Sequence, residues 1–188
     1  MRSINLFIHL TVPCLLVLPL SAQEWSRFRG PNGSGLGNAP NVPAEWKEQD
    51  FNWKITLPGI GHSSPVLWAN DLFVVSSPEG QGGLIIQKLS AKDGGESWRK
   101  QVSFPAHHLH KFNSFASSSP AVDEDRVYLY WATPSSVTLT ALTHEGEKVW
   151  ERDLGTFESQ HGGGTSPMVY RDKVFIGNEQ KGMSSIEA

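Results

Sequence analysis

The chain is 188 residues long, with 16 Lys and Arg against 19 Asp and Glu, a formal net charge of -3 and 38% hydrophobic residues. That composition belongs to a folded globular chain and excludes a disordered one. No Lys or Arg run stands out, which excludes a nucleic-acid partner, because neutralising phosphates takes clustered cations.

The first 22 residues read as a secretory signal peptide. Arg2 supplies a positive start, Ile4 to Leu20 is mostly apolar, and Leu20-Ser21-Ala22 puts a small residue at the cut. Asn5, His9 and two prolines interrupt the apolar run, so it is not a membrane span. A secreted or periplasmic location is expected. The residue after the cut is Gln23, where a lipid anchor requires cysteine, so no lipid anchor is expected. Cys14, the sole cysteine, lies inside the signal, and the mature chain therefore holds no disulfide, zinc knuckle or thiol nucleophile. Without residues 1–22, 15 basic residues face 19 acidic ones.

Residues 23–50 form an N-terminal arm, dense in Gly, Pro and Asn and without helical or alternating period. From residue 51 to 188 the chain changes to short apolar runs separated by turn residues, an all-β pattern. "FNWKITLP", Phe51 to Pro58, reads as a strand that precedes any strand able to pair with it. A four-part unit then recurs. Its first copy is "SSPVLW", "DLFVVSS", "LIIQKLS" and "ESWRKQVSF"; its second is "SSPAV", "RVYLYWA", "SVTLTAL" and "KVWERDL"; its third is "TSPMVY", "KVFIGN" and "SSIEA". The anchoring prolines Pro65, Pro120 and Pro167 are 55 and 47 residues apart, the period of four-stranded propeller blades. The fold class expected is all-β, a partial β-propeller of about two and two-thirds blades in an open arc.

A second landmark runs through the repeat. "AKDGGESW" ends at Trp98 and "THEGEKVW" at Trp150, each with a glycine four residues earlier. Glycine supplies the positive φ of a tight turn, and the indole is large enough to bury against the next blade and tie the two sheets together. "LSAKDGGESW" and "LTHEGEKVW" resemble the tryptophan-containing repeat of pyrroloquinoline quinone (PQQ)-like β-propellers, Leu-x-Ala-x-Asp-x-x-x-Gly-Lys-x-x-Trp. "WSRFRGPNGSG" and "HKFNSFASSSP" are similar to a secreted bacterial branch of that family. The second copy departs from the pattern by carrying His144 and Glu145 in place of Ala-x-Asp. The resemblance implies a ring of about seven or eight blades in whole members, so the chain reads as a truncated member with an open edge for another chain to complete.

Candidate chemistry is sparse. His62, His110 and His161 each precede a Ser-Pro strand start, in loops that gather at one mouth of a propeller channel. Imidazole binds metals and titrates near neutrality, so these three are the ligand candidates. "HHLH", His107 to His110, lacks carboxylate or thiolate partners at metal spacing. "GSGLG" in the arm has no strand before it, and "DED", Asp123 to Asp125, suits a solvated turn. Ser63, Ser64, Ser118, Ser119 and Ser166 recur with the repeat, as packing residues do and a single nucleophile does not.

The resemblance implies two functions. One is an exported, non-catalytic binding or scaffolding module whose partner, a protein or small ligand, sits at the channel mouth; propellers that assist outer-membrane protein assembly are the precedent. It needs no catalytic residue and no cofactor. The other is a fragment of a quinone-dependent dehydrogenase, with PQQ and calcium, whose active site lies in further blades. The family's dehydrogenases hold the quinone between a tryptophan and a disulfide of adjacent cysteines, which this chain does not carry. A metal-binding module built on the three histidines is a third reading.

Overall fold

The computed structural model describes residues 24–39 and 41–188. The segment read as a signal peptide lies outside the described residues. Three antiparallel sheets account for almost all regular structure, with one 3-10 turn at Glu48–Asp50.

The first sheet holds β1 (Val66–Trp68), β2 (Asp71–Ser76), β3 (Leu84–Ser90) and β4 (Glu96–Val102), in that order. The second repeats the order with β5 (Ala121–Val122), β6 (Arg126–Thr133), β7 (Ser136–Thr143) and β8 (Lys148–Asp153). The third contains β9 (Met168–Tyr170), β10 (Lys173–Gln180) and β11 (Met183–Glu187). Each is a meander of hairpins. The first strand of one sheet meets the first strand of the next, β1 against β5 and β5 against β9, while the outer strands fan apart. These are the blades of a propeller in an open arc.

Burial follows from that stacking. The middle blade is covered on both faces, so β6 and β7 are buried almost throughout. Alternate residues divide between two cores. Val127, Leu129 and Trp131 of β6 pack with Val66, Phe73, Val75 and Ile86 of the first blade. Tyr130, Ala132, Val137 and Leu139 face the third blade and Ile176. The outer strand β4 has solvent on one side and returns to period two, with Trp98, Lys100 and Val102 turned inward. Strand period thus reports the number of covered faces.

The Trp landmark acts as a clamp between blades. Trp98 Nε1 donates a 2.9 Å hydrogen bond to the carbonyl of His144, in the β7–β8 turn of the next blade. Gly146, at φ +84, lets the indole lie close, because a Cβ there would fall 3.1 Å from Trp98 Cε2. Trp53 repeats the arrangement one blade earlier, donating to the Ala91 carbonyl at 3.0 Å and lying over Gly94, where a Cβ would meet its ring at 2.8 Å. The stretch from Phe51 to Pro58 occupies the place of an outer strand but joins no ladder among the described residues. It is held by its indole instead.

His144, where the repeat pattern has alanine, fills a specific role. Its ring meets Phe73 edge-on at 5.4 Å, and its Nε2 donates to the Asp123 carbonyl at 2.9 Å. Asp123 accepts from the backbone N–H groups of Asp125 and Arg126 and from the Tyr128 hydroxyl, so the acidic turn is closed on itself. In the first blade Asp93 accepts from Gly95 N–H and the Ser90 hydroxyl, and these bonds hold its carboxyl below the usual carboxylate range. Thr143 accepts the equivalent turn amides in the second blade, which is why Glu145 stands there without disturbing the hairpin.

Candidate functional site

The strands expected to begin at the Ser-Pro pairs begin one residue after each proline. Proline has no N–H for a ladder, and the serines before it are bonded elsewhere. Ser64 N–H donates to Ser119 Oγ at 2.8 Å, and Ser119 N–H donates to Ser166 Oγ at 3.0 Å. The serine hydroxyls of the second and third blades each receive the backbone of the blade before. His62 and Ser63 add a second stitch, both donating their N–H groups to the Ala116 carbonyl. The repeated serines are therefore joints between blades.

The arm enters this region. Trp25 exchanges two backbone hydrogen bonds with Leu67 of β1, at 3.1 and 2.9 Å, and the Ser26 carbonyl accepts from Val122 N–H of β5 at 2.8 Å. It bridges the inner edges of two blades without forming a strand of its own. Beyond Ser26 it turns sharply: Gly30 N–H donates to the Arg27 carbonyl, and Trp25 covers Gly30 so closely that a Cβ would sit 2.9 Å from its ring. That turn carries Arg27 and Phe28 to the mouth formed by the blade-entry loops.

A cavity of about 420 Å³ lies there, lined by Arg27 and Phe28 of the arm, His62, Ser117, and Thr165 and Ser166 from the entry to β9. Four separate segments of the chain meet around it. Its lining contains no carboxylate.

The three candidate histidines part company. His62 lines the cavity and shares a 3.0 Å hydrogen bond with the Ser114 hydroxyl through Nδ1. His110 and His161 lie against each other, ring centroids 5.1 Å apart and steeply inclined, and join the loop before β5 to the loop before β9. Asn113 Nδ2 donates to the His161 carbonyl beside them. Among the described residues no three His, Cys, Asp or Glu side chains come together as a metal would require. His107 packs between Phe104 and Phe115. Arg27 and Phe28 were missed by the sequence reading, because an aperiodic arm gives no sign of where it docks.

Residues 50–188 match the family model described as outer membrane protein assembly factor BamB. The chain belongs to that family of PQQ-repeat β-propellers. The match spans all three blades and the Trp53 segment, so the recurrent glycine–tryptophan clamp and the family assignment describe the same residues. No curated protein matches the chain.

Proposed function

We propose that this chain is an exported, non-catalytic module of the PQQ-repeat family that binds a protein segment or a small ligand at the channel mouth. The observation that carries the reading is the convergence of the arm with the entry loops of three blades on one cavity. Such a site is concave and lined by a few polar groups on a rigid frame, the usual form of a recognition site. The family's description as an outer membrane assembly factor supports both export and a scaffolding role.

The polar groups of the repeat are occupied in ways that suit a frame better than a catalyst. Ser119 and Ser166 accept backbone amides from neighbouring blades. A quinone and its calcium would need an open aromatic face beside a cluster of carboxylates. Trp53 and Trp98 are instead engaged with adjacent blades, and the lining of the cavity has no Asp or Glu. The lining of this cavity does not fit that pair.

Two measurements test the proposal. Full-length protein supplied with PQQ and calcium is expected to leave an artificial electron acceptor oxidised and the quinone spectrum unchanged; sustained reduction would replace the binding module with a dehydrogenase. Protein recovered from the extracytoplasmic fraction is expected to begin at Gln23, and recovery only in the cytosol with Met1 retained would remove the export part.

A further inference from the structure

The cavity at the channel mouth has a chemistry that narrows its ligand, and this step rests on the binding-module reading above. Its lining carries one guanidinium, from Arg27, an imidazole from His62, and the hydroxyls of Ser117, Thr165 and Ser166, against no carboxylate. The chain as a whole is acidic, so a cavity walled without Asp or Glu is a local reversal of the surface charge.

Arg27 is held in advance. Its Nη2 donates to the Pro31 carbonyl at 3.2 Å, and a Cβ on Gly33 would fall 3.2 Å from the same nitrogen. The loop beneath is fixed by the bonds from Gly30 N–H to Arg27 O and from Gly33 N–H to Gly30 O. A guanidinium has five N–H donors, and the Pro31 bond uses one of them. Orienting this long side chain before a ligand arrives removes much of the entropic cost of binding.

The entry to β9 also brings hydroxyls to the lining. Ser166 Oγ already accepts the amide of Ser119, which leaves its proton free to donate to a ligand beside one remaining lone pair. Ser117 differs: its hydroxyl donates to Asn113 Oδ1, which turns that proton away. Beside the donors lie the Phe28 ring, half exposed, and Met168 and Pro167 at the start of the third blade. The lining thus combines a cation and hydroxyl donors with apolar surface.

We infer that the cavity binds a carboxylate carrying an apolar group, its oxygens held by Arg27, Thr165 and Ser166 and its apolar part on Phe28 and Met168. The arm is then one wall of the binding site. Charge-assisted bonds from a guanidinium to a carboxylate are among the strongest polar contacts available at such a mouth.

Phenylacetate is a suitable probe, with the uncharged phenylacetamide as its isostere. Titrated into the chain and followed by amide chemical shifts, phenylacetate is expected to move the signals of Phe28, Gly164 and Thr165 with a dissociation constant of about 1–10 mM, as ligand efficiency allows for so small an acid. Phenylacetamide is expected to bind at least about tenfold more weakly, as are complexes of the Arg27→Gln variant. Arg27→Gln also loses the Pro31 bond, so Thr165→Val, which leaves the arm intact, is the second variant and is expected to weaken phenylacetate alone. Comparing Gly-Phe with its C-terminal amide separates a peptide terminus from a free acid: tighter binding of Gly-Phe than of phenylacetate assigns the site to chain ends. Equal affinity for acid and amide, indifference to both substitutions, or no shift at these residues would overturn the inference. Those outcomes leave the module reading standing, whereas quinone-dependent turnover removes that reading and leaves the anion preference measurable.

Discussion

Substituting Gly146 by alanine, alone and together with Trp98→Ala, isolates the clamp that joins the first two blades. At φ +84 an alanine pays the left-handed penalty wherever it points, about 1–2 kcal/mol. Its Cβ would also fall 2.7 Å from Lys100 Cε and 3.1 and 3.3 Å from two indole carbons of Trp98. The lysine end is flexible and moves aside; the indole cannot, since its Nε1 is bonded to the His144 carbonyl at 2.9 Å. Forcing a methyl into that contact adds about 1–3 kcal/mol. Gly146→Ala is therefore expected to cost about 2–5 kcal/mol in the native background and only about 1–2 kcal/mol where Trp98 is already alanine. Urea denaturation of the four proteins gives the coupling directly, about 1–3 kcal/mol, provided the m-values agree. Equal costs of Gly146→Ala in both backgrounds would show that the indole does not rest on the glycine, and the account of how blades are fastened would fail with it.

The serine joints predict a similar sensitivity at a smaller residue: Ser119→Ala strands the Ser64 amide and is expected to lower stability by about 1–3 kcal/mol in the same assay, whereas a change under a few tenths would mean the joint is solvated. Burial pushes the Tyr130 hydroxyl from 10.0 up to about 12. The folded state therefore keeps its proton where the unfolded chain loses it, so the contribution is intact below pH 10.0 and fades as pH rises toward 12, by roughly 3 kcal/mol for two pH units. Tyr130→Phe is expected to flatten that part of the alkaline stability curve, leaving the share of Tyr128, which burial and Asp123 also raise; an unchanged slope refutes the assignment. Trp25→Ala is expected to release the arm, seen as faster hydrogen exchange at Leu67 and Val122, and protection equal to that of the parent would show that the two backbone contacts do not depend on the indole.

The blades were readable because each of their signals has a local physical cause. Asn70-Asp71 and Gly146 mark turns, β4 alternates because it has one wet face, and the Ser-Pro pairs recur because every blade needs the same joint. Two-sided burial of β6 erased its alternation, yet its β-branched and aromatic content still marked it as a strand. The candidate site was less legible. The histidines share a phase in the repeat, but phase fixes only the end of the blade, and unequal loop lengths set His62 against Ser114 and His110 against His161. The docking of Arg27 and Phe28 depends on backbone bonds from Trp25 and Ser26 to strands far along the chain, and nothing in the composition of the arm encodes such partners.

Those bonds have a bearing on biogenesis. Ser26 precedes every strand of the blades in the chain, and the amide it accepts belongs to Val122 of the second blade. Trp25 can pair with Leu67 as soon as the first sheet forms, but the Ser26 contact has to wait for the second. Until then the arm is fastened to the first sheet alone, and the mouth it walls is incomplete.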